Sequence, residues 1–424
     1  MLLPELSTPS AIVDLDKLHR NLNWMASHAQ HLGVSLRPHI KTHKSIELAM
    51  LQTQTHGGDP SGITVSTFAE ASAFADAGFR DITWAVPIPM SRVRQAVDLS
   101  IRIGCLNIVV DHHDTVSALE QCAQSQGTSP NVLLKIDCGN HRAGVDPKSE
   151  HAMDLASRIA RSSHLRFRGV LAHGGHAYAC RTMSEVAQVA LQERNETVGF
   201  AQRLRSVGIA VETVSVGSTP TMAAAKSLSE TSDYTTDCAT DCAKGFNATG
   251  HGVTEIRPGN YALLDVFQAT LGVCSLDDIA LSVLSTVIGV YPERDSFVID
   301  AGGLALSMDP GPVRIDADCG FGVVRVHVEE GAGETGFGLL RVRSLSQEHG
   351  IVIGLHRVRH LRLGDRVEVL PNHACMTVAM HPQLFAVRRG HGQRTGFGGG
   401  GGAVGAVQRW KLVRGWDGGG LGAV

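Results

Sequence analysis

A lysine at position 41 lies inside a basic segment, Arg37–Lys44, which also contains His39 and His43. Burial and neighbouring cations lower the pKa of a lysine, because both disfavour its charged form. A neutral amine can form a Schiff base with an aldehyde and can also act as a base. Taken alone, the segment is equally compatible with a basic surface turn.

Two turns rich in small residues have the composition of a phosphate site. They are Ser215–Pro220 and Arg257–Tyr261. Small residues let backbone N–H groups and hydroxyls come close to an anion. The first turn contains Gly217, Ser218 and Thr219, and the second contains Gly259, Asn260 and Tyr261. Each turn alone would more often be only a turn, so the prediction depends on both.

Three further side chains have the chemistry to hold a flat, anionic ring. Arg142 can donate hydrogen bonds to an anionic oxygen such as a phenolate, or it can pair with a carboxylate of the protein. His173 and Tyr178 follow the apolar run Phe167–Ala172, and their rings could lie against a planar group. An isolated histidine is more often an ordinary core residue, so His173 supports this interpretation only together with the other residues.

His373 and Cys375 form a candidate metal pair far along the chain. In an extended segment, residues two positions apart point the same way, so both side chains can bind one ion. Imidazole and thiolate together favour zinc. Two protein ligands leave positions open for water or substrate, which indicates a catalytic Lewis acid. Most such pairs bind nothing, so the pair alone is a weak signal.

These residues need a fold that brings the ends of several strands together. Between about residue 34 and residue 265, short β-branched runs alternate with helix-length stretches such as Phe68–Ala77 and Val186–Val207. The eight predicted strands are Val34–Ile40, Ile63–Thr67, Ile82–Val86, Leu106–Val110, Asn131–Ile136, Phe167–Ala172, Val211–Val216 and Glu255–Tyr261. They predict an α/β fold, a (β/α)8 TIM barrel, with its active site at the carboxyl ends of the strands and phosphate sites after strands seven and eight. A doubly wound sheet would need a Gly-rich phosphate turn after its first strand, and the sequence has none.

After Asp265 the pattern changes to strand-like runs separated by Gly, Pro and Asp. The runs are Ile279–Val290, Ser296–Asp300, Val323–Val328, Arg366–Leu370 and Ala406–Val413. They predict a second, mostly β domain. We therefore expect a barrel over residues 11–265 and a β domain over residues 266–424, which residues 1–10 join. Ser229–His251 is interpreted as an insertion and Gly396–Gly402 as a low-complexity loop.

The composition favours a small-molecule substrate. Hydrophobic residues make up 43% and charged residues 19% of the 424-residue chain, and the net charge is -3 without a block of like charges. This balance predicts no nucleic-acid partner and no membrane partner. The first residues do not resemble a secretory signal, and the nine cysteines show no disulfide-framework spacing. We expect reduced thiols and a cytoplasmic protein.

Taken in order, these segments resemble the fold-type III pyridoxal 5'-phosphate enzymes, specifically the D-serine dehydratase and D-threonine aldolase family, over nearly the whole chain. The resemblance implies an alanine-racemase-like barrel followed by a β domain. Arg37–Lys44 resembles the family's Schiff-base segment, which implies that Lys41 carries the cofactor. Pro371–Cys375 resembles the metal motif of the eukaryotic-type D-serine dehydratases. This implies that His373 and Cys375 bind a divalent metal, with zinc favoured and manganese or magnesium as alternatives.

The resemblance extends to the phosphate loops and to the oligomeric state. Gly217–Thr219 and Gly259–Tyr261 resemble the family's phosphate-binding loops. Arg257 is similar to the arginine that alanine racemases place at the pyridine nitrogen of the cofactor. Relatives with this fold often dimerise, which implies a homodimer. The chain departs from the family at Leu304, where members often carry a lysine.

The resemblance implies a metal-assisted lyase that acts on a β-hydroxy D-amino acid. The preferred hypothesis is dehydration of D-serine to pyruvate and ammonia. The alternative is D-threonine aldolase chemistry, which releases glycine and an aldehyde. Cys375 favours the dehydratase, because the aldolases are associated with a carboxylate there. A racemase would need a second base and no metal. A non-catalytic pyridoxal-phosphate protein would usually lack the β domain, and a sugar-processing barrel would need paired carboxylates at its strand ends.

Overall fold

The computed structural model of the protein describes residues 5–54, 62–230, 252–326, 338–358, 360–389 and 407–415. The predicted loop Gly396–Gly402 and positions 231–251 of the predicted insertion lie outside these residues. The described residues form two compact units, one drawn from residues 1–23 and 260–412 and the other from residues 24–259 and 413–424. Each unit contains one β-sheet.

The strands and helices of the described residues are numbered along the chain. The strands are β1 (Ser10–Asp14), β2 (Ser35–Leu36), β3 (Ile63–Val65), β4 (Asp81–Trp84), β5 (Cys105–Val110), β6 (Asn131–Lys135), β7 (Arg166–Leu171), β8 (Thr213–Val216), β9 (Glu255–Ile256), β10 (Leu281–Tyr291), β11 (Ser296–Ile299), β12 (Val323–Val326), β13 (Gly338–Leu345), β14 (Gly350–Ile353), β15 (Arg366–Leu370), β16 (Gln383–Val387) and β17 (Gln408–Lys411). The helices are α1 (Leu15–Leu32), α2 (Ile46–Gln54), α3 (Phe68–Asp76), α4 (Val93–Ile103), α5 (His113–Ser125), α6 (Glu150–Arg161), α7 (Met183–Ser206), α8 (Thr219–Glu230), α9 (Val266–Leu271), α10 (Gly303–Leu306) and α11 (Ala374–Met380).

Strands β2 to β9 form a parallel sheet in the unit of residues 24–259. From β3 to β9 each strand pairs with the next one along the chain, and β9 pairs with β2. A parallel bridge between His39 and Thr64 connects the segment after β2 to β3. This contact closes the ring, and each strand from β2 to β8 is followed by one of the helices α2 to α8. The predicted (β/α)8 arrangement is confirmed, and its strand carboxyl ends meet at one face.

Local sequence explains where several barrel helices begin. Hydroxyls of the residues before α3, α6 and α7 accept the backbone N–H three positions later, which satisfies a donor that the helix itself cannot pair. The three capping residues are Thr67, Ser149 and Thr182. Helix α4 ends at Gly104, whose φ of 84° suits glycine. None of the helices in the described part of the chain is long and apolar enough to cross a membrane.

The first and eighth barrel strands are shorter than predicted. Val34–Ile40 and Glu255–Tyr261 were predicted as strands, but regular pairing covers only β2 and β9. Pro38 and Pro258 have no N–H group to donate to a ladder. The chain nevertheless stays close to its neighbours, because the His39 N–H donates to the Pro258 carbonyl at 3.0 Å. The loops after these strands are therefore held at the barrel end.

The other unit is built on a mainly antiparallel sheet. Strands β11, β14, β13, β12, β15 and β10 pair in that order, and β10 also pairs with β11, so the six strands form a closed ring. Phe297, Val324 and Val369 lie in the hydrophobic core of these strands. Strand β1 joins the edge of the ring through β10, and it pairs in parallel with β16. The prediction of a second, mostly β domain is confirmed.

Candidate active site and metal pair

Lys41 lies immediately beyond the first barrel strand. It belongs to a single 3-10 turn, Ile40–Thr42, and its side chain is partly exposed. His39 precedes this turn, and its Nδ1 accepts the Lys41 backbone N–H at 3.4 Å. The turn places Lys41 at the carboxyl end of the barrel, where the active sites of such barrels lie.

The basic segment does not itself surround Lys41 with positive charge. Arg37 donates to Asp81 and to Glu255, each at 2.8 Å. Lys44 pairs with the buried Glu70 at 3.2 Å. The expectation that Arg37 and Lys44 supply the cationic surroundings of Lys41 is therefore wrong. Distant carboxylates neutralise both residues, and the local sequence does not show them.

The two histidines of the segment are buried, and burial keeps both rings neutral. Burial lowers the pKa of His43 to about 4, and its Nε2 lies 2.9 Å from the Gln52 amide oxygen. Burial, together with the charges of Lys41 and Arg257, holds the pKa of His39 well below its usual value. Because both rings are neutral, positive charge around Lys41 has to come from residues of other strands.

Lys135 is a basic residue on one of those strands, and no sequence motif predicted it. It is the last residue of β6 and is only 4% exposed. Burial, followed by the charges of Arg257 and Arg142, lowers the pKa of Lys135 to about 7. Within the described residues its ammonium group has no hydrogen-bond or ion-pair partner. The sequence feature that could have predicted this role is a lysine at the end of the apolar run of β6, because the carboxyl end of that strand faces the barrel mouth.

Arg257 is buried at the end of β9 and is held in one orientation. Its Nε donates to the Ser215 hydroxyl at 2.6 Å, and one terminal nitrogen donates to the carbonyls of Ala172 and Ser215. These partners lie at the ends of β7 and β8. The guanidinium therefore connects three neighbouring strand ends and adds a fixed positive charge between them.

The predicted phosphate loop is tied to a buried glutamate. Gly217 has a φ of +103°, and its N–H donates to Glu193 Oε1 at 2.9 Å. The Gly174 N–H donates to the same oxygen at 2.8 Å. The Ser218 N–H donates to the Thr221 hydroxyl at 2.8 Å. The backbone N–H groups of Gly217 and Ser218 are thus engaged within the protein.

The hydroxyl of Ser218 lies 3.0 Å from that of Thr221, and helix α8 begins at the next residue, Thr219. Ser218 and Thr219 are both buried, and Thr219 is the first residue of the 12-residue α8. A helix N-terminus favours an anion, because its first N–H groups point outward. Glu193 was missed by the sequence analysis, since a glutamate within a long amphipathic helix gives no local sign of these contacts.

The second predicted phosphate turn divides between the two units. A Cβ atom on Gly259 would lie 2.4 Å from the His39 carbonyl oxygen, so the close approach of the two chains requires glycine. Asn260 and Tyr261 belong to the unit of residues 260–412, and Tyr261 is fully buried. The Asn260 amide donates to Asp265 at 2.6 Å. Its Oδ1 is buried and has no hydrogen-bond partner among the described residues.

The other predicted ring contacts lie around the same barrel end. Arg142 is exposed, whereas His173 and Tyr178 are partly buried. Burial, and then the charges of four cationic side chains, hold the pKa of His173 well below its usual value. The four cations are Lys41, Lys135, Arg142 and Arg257. His173 is therefore a neutral ring that experiences the charges of these four basic side chains.

This cluster has the chemistry of a site for an anionic ligand. The Glu193 carboxylate acts on both Lys135 and Arg257, and Glu255 also acts on Arg257, so basic side chains still outnumber these carboxylates at the barrel end. Charges at a buried site are costly unless they are paired. A ligand that carries a phosphate, a phenolate and an aldehyde would add negative charge beside these basic side chains, and its aldehyde can react with the Lys41 amine. The residues present therefore fit pyridoxal 5'-phosphate.

The predicted metal pair is brought together, but by a helix. His373 is the N-cap of α11, and Cys375 lies in its first turn. The expectation of an extended segment is therefore wrong. The two side chains nevertheless hydrogen-bond to each other. Burial alone would lower the pKa of His373, but hydrogen bonds to Asp309 and Cys375 and the charge of Asp265 raise it to about 11.

A neutral imidazole and a thiolate are suitable zinc donors, so the pair fits a metal in its donor chemistry. Metal binding would have to displace a proton from His373. In the part of the chain that is described, no group of three histidine, cysteine, aspartate or glutamate side chains is placed to hold a metal ion. Two protein ligands would therefore leave open positions on the ion.

Comparison with known proteins identifies the family. The profile of the alanine racemase N-terminal domain matches residues 13–235, and that of a putative serine dehydratase domain matches residues 280–387. A D-serine dehydratase of Dictyostelium discoideum is 34% identical over 403 residues, which cover 90% of this chain and 93% of that protein. The chain belongs to the D-serine dehydratase and D-threonine aldolase family. This family groups fold-type III pyridoxal 5'-phosphate enzymes.

Other members of the family are named D-threo-3-hydroxyaspartate dehydratase and D-threonine aldolase. A D-threo-3-hydroxyaspartate dehydratase of Delftia sp. is 35% identical over 418 residues, covering 97% of this chain and 98% of that protein. Its solved structure has a TM-score of 0.80 and covers 98% of this chain and 100% of that chain. A D-threonine aldolase of Arthrobacter sp is 27% identical over 393 residues, covering 92% of this chain and 91% of that protein.

Two further solved structures concern variants of the Delftia dehydratase. One has alanine in place of a cysteine and is in the metal-free form. The other has alanine in place of a histidine two positions earlier in that protein. His373 and Cys375 have the same spacing in this chain.

Proposed function

We propose that this protein is a pyridoxal 5'-phosphate-dependent lyase that dehydrates β-hydroxy D-amino acids, with D-serine as the expected substrate. The observation that carries the proposal is the position of Lys41 within the cationic cluster at the barrel's carboxyl end. Identity of 34–35% over at least 90% of the chain to two named dehydratases supports the reaction type.

Several residues are proposed to hold the cofactor together with Lys41. Lys41 would bind its carbonyl carbon, Arg142 its phenolate oxygen, and the hydroxyls of Ser218 and Thr219 its phosphate. The other residues proposed to line the cofactor are His173, Tyr178, Gly217, Gly259, Asn260 and Tyr261. When bound, pyridoxal phosphate supplies an electron sink for negative charge that develops at the substrate Cα.

The chain's own groups have separate tasks in this scheme. The Lys41 amine takes the proton from the substrate Cα, which requires the amine to be neutral at that moment. His39 caps the turn that carries Lys41 and so fixes where the amine begins. Arg257 is a buried cation that can hold negative charge at the barrel end, and Lys135 adds a buried amine whose pKa is lowered to about 7. Because its hydrogen bonds to Ser215 fix the Arg257 guanidinium before the substrate arrives, little reorganisation is needed there.

His373 and Cys375 are proposed to hold a divalent metal, with zinc favoured by the thiolate and manganese or magnesium as alternatives. The metal would supply Lewis acidity toward the β-hydroxyl of the substrate. The shared spacing with the two altered positions of the Delftia dehydratase supports this assignment.

Retro-aldol cleavage is the second candidate function. It is favoured by the D-threonine aldolase of Arthrobacter sp, which matches over most of its length at 27% identity. The higher identity to the dehydratases and the thiolate ligand Cys375 favour dehydration. Alanine racemases of known structure are 14% identical with a TM-score of about 0.6, so they share the fold alone.

The purified protein, saturated with pyridoxal phosphate and zinc, should convert D-serine to pyruvate and ammonia. D-threo-3-hydroxyaspartate and D-threonine should be offered in parallel, with the L-enantiomers as stereochemical controls. We expect a 2-oxo acid and ammonia in equal amounts from the D-substrates, because loss of the β-hydroxyl leaves a product that hydrolyses. Glycine with an aldehyde would instead establish the aldolase. Release of neither product pair would overturn the proposed function.

A homodimer in the cytoplasm remains our proposal for the state in which the protein works. The family resemblance supports the homodimer. The balanced net charge of -3 favours neither nucleic acid nor an anionic membrane as partner. The substrate is therefore proposed to be a free small molecule.

A further inference from the structure

Asp309 touches the histidine of the metal pair from a separate loop. Its Oδ2 lies 2.8 Å from His373 Nδ1. Its Oδ1 accepts a hydrogen bond from the Gly311 N–H, also at 2.8 Å. Both carboxylate oxygens are engaged, so the carboxylate has a defined orientation toward the imidazole.

The loop that carries Asp309 is fixed to the residue before His373. The Asn372 amide donates to the carbonyl oxygens of Gly320 at 2.7 Å and Pro310 at 3.4 Å. Gly311 has a φ of +66°, and a Cβ there would lie 2.6 Å from the Asn372 side chain. Glycine is therefore required for this approach. The position of the carboxylate is set by these contacts and not by its bond to the histidine alone.

The contact determines which nitrogen of His373 can bind a metal. An ionised carboxylate only accepts hydrogen bonds, so Nδ1 must carry a proton and donate it. The neutral ring then has its lone pair on Nε2. Metal-binding histidines commonly donate their second N–H to a carboxylate in this way, which fixes the ring and raises its basicity.

A similar pair elsewhere in the same unit has no such setting. His356 Nδ1 lies 2.7 Å from Asp295 Oδ2, but the two side chains are 71% and 46% exposed. The side chains of His373 and Asp309 are 33% and 27% exposed, and His373 also contacts a cysteine. The exposed pair therefore provides a matched reference for an aspartate–histidine contact without a metal role.

We propose that Asp309 is a positioning residue of the metal centre, which holds the His373 ring with Nδ1–H toward the carboxylate and Nε2 toward the metal. This inference rests on the metal site of the proposed function and names the residue that orients one of its ligands. Asp309 does not need to touch the metal or the substrate.

The test is the zinc affinity of the cofactor-loaded protein, measured by competition with a chromophoric chelator. In Asp309→Asn the amide can donate to Nδ1 and favour the tautomer that has its proton on Nε2, where the proton blocks the metal. We expect zinc binding to weaken by about 10–100-fold. Asp295→Asn should bind zinc as the wild type does. The visible absorbance of the cofactor should be unchanged in both variants, because the barrel residues are intact.

The outcomes separate this inference from the proposed function. Wild-type zinc affinity in Asp309→Asn would overturn the role of Asp309 and leave the metal site standing. Failure of the wild type to bind zinc would overturn both. If Asp309→Asn does not fold, Asp309→Glu replaces it; this variant keeps the charge but lengthens the side chain, and it should also bind zinc more weakly.

Discussion

Replacing Lys41 by alanine is expected to abolish the absorbance band of the lysine-bound cofactor and to lower kcat by at least about a thousandfold. The loss follows because the proposed covalent attachment and the proposed base are the same amine. Pyridoxal phosphate can still enter the cationic cluster of this variant, but it cannot form the absorbing adduct with the protein. Absorbance spectra and turnover of D-serine, recorded on one preparation, measure both effects.

Lys44→Gln is the matched control for this variant. Lys44 lies in the same basic segment, but it pairs with Glu70. Loss of this ion pair should leave the absorbance in place and reduce turnover far less than Lys41→Ala does. Equal losses in the two variants would show that the segment matters for folding and not for attachment of the cofactor.

The second large effect concerns the metal pair. His373→Ala and Cys375→Ala should each lose bound zinc and lower kcat by about a hundredfold to ten-thousandfold, because a Lewis acid contributes several kcal/mol at the transition state. Both variants should keep the visible absorbance, since the barrel residues are unchanged. Metal analysis, absorbance and turnover measured on the same samples separate these properties.

Cys274→Ala serves as the thiol control, because Cys274 packs against a hydrophobic cluster of the same unit. It should retain zinc and activity. Removal of the metal from the wild type by a chelator should reproduce the loss, and added zinc should restore turnover in the wild type alone. Full turnover of the metal-free wild type would contradict a metal role in the reaction.

The architecture could be predicted because the spacing of hydrophobic residues along the chain indicates its strands and helices. All eight barrel strands lie within or next to the predicted runs, since buried parallel strands need continuous apolar residues. Their ends were less predictable. Pro38 and Pro258 interrupt the ladders of the first and eighth strands, and the sequence pattern extended both strands through these prolines. Arg366–Leu370 of the β domain was predicted with its observed bounds.

The charges around Lys41 could not be predicted, because they depend on tertiary partners. Arg37 and Lys44 looked like its cationic neighbours, yet carboxylates from other parts of the chain pair with them. Lys135 contributes a buried basic side chain from another strand, with its pKa lowered to about 7. The basic residues nearest to Lys41 in the sequence therefore pair with carboxylates. Lys135 lies at the end of β6, whose sequence resembles that of any buried strand.

Local sequence patterns also could not predict the residues that support the site. Asp309 and His373 are 64 positions apart in the chain. Glu193 accepts the N–H of Gly217, 24 positions away. The spacing of His373 and Cys375 was recognised correctly, but their extended conformation was not, because α11 is only seven residues long. Such a short helix leaves little periodicity to detect.

The most direct test of the account is to locate the cofactor on the chain. The loaded protein should be reduced with borohydride, digested and examined by mass spectrometry for a pyridoxyl-modified lysine. Lys41 is the predicted position. Lys135 is the informative rival, because it is buried near the same cluster and its pKa is lowered to about 7. A pyridoxyl group on Lys41 is the result that the account predicts, and one on Lys135 or on no lysine would contradict it.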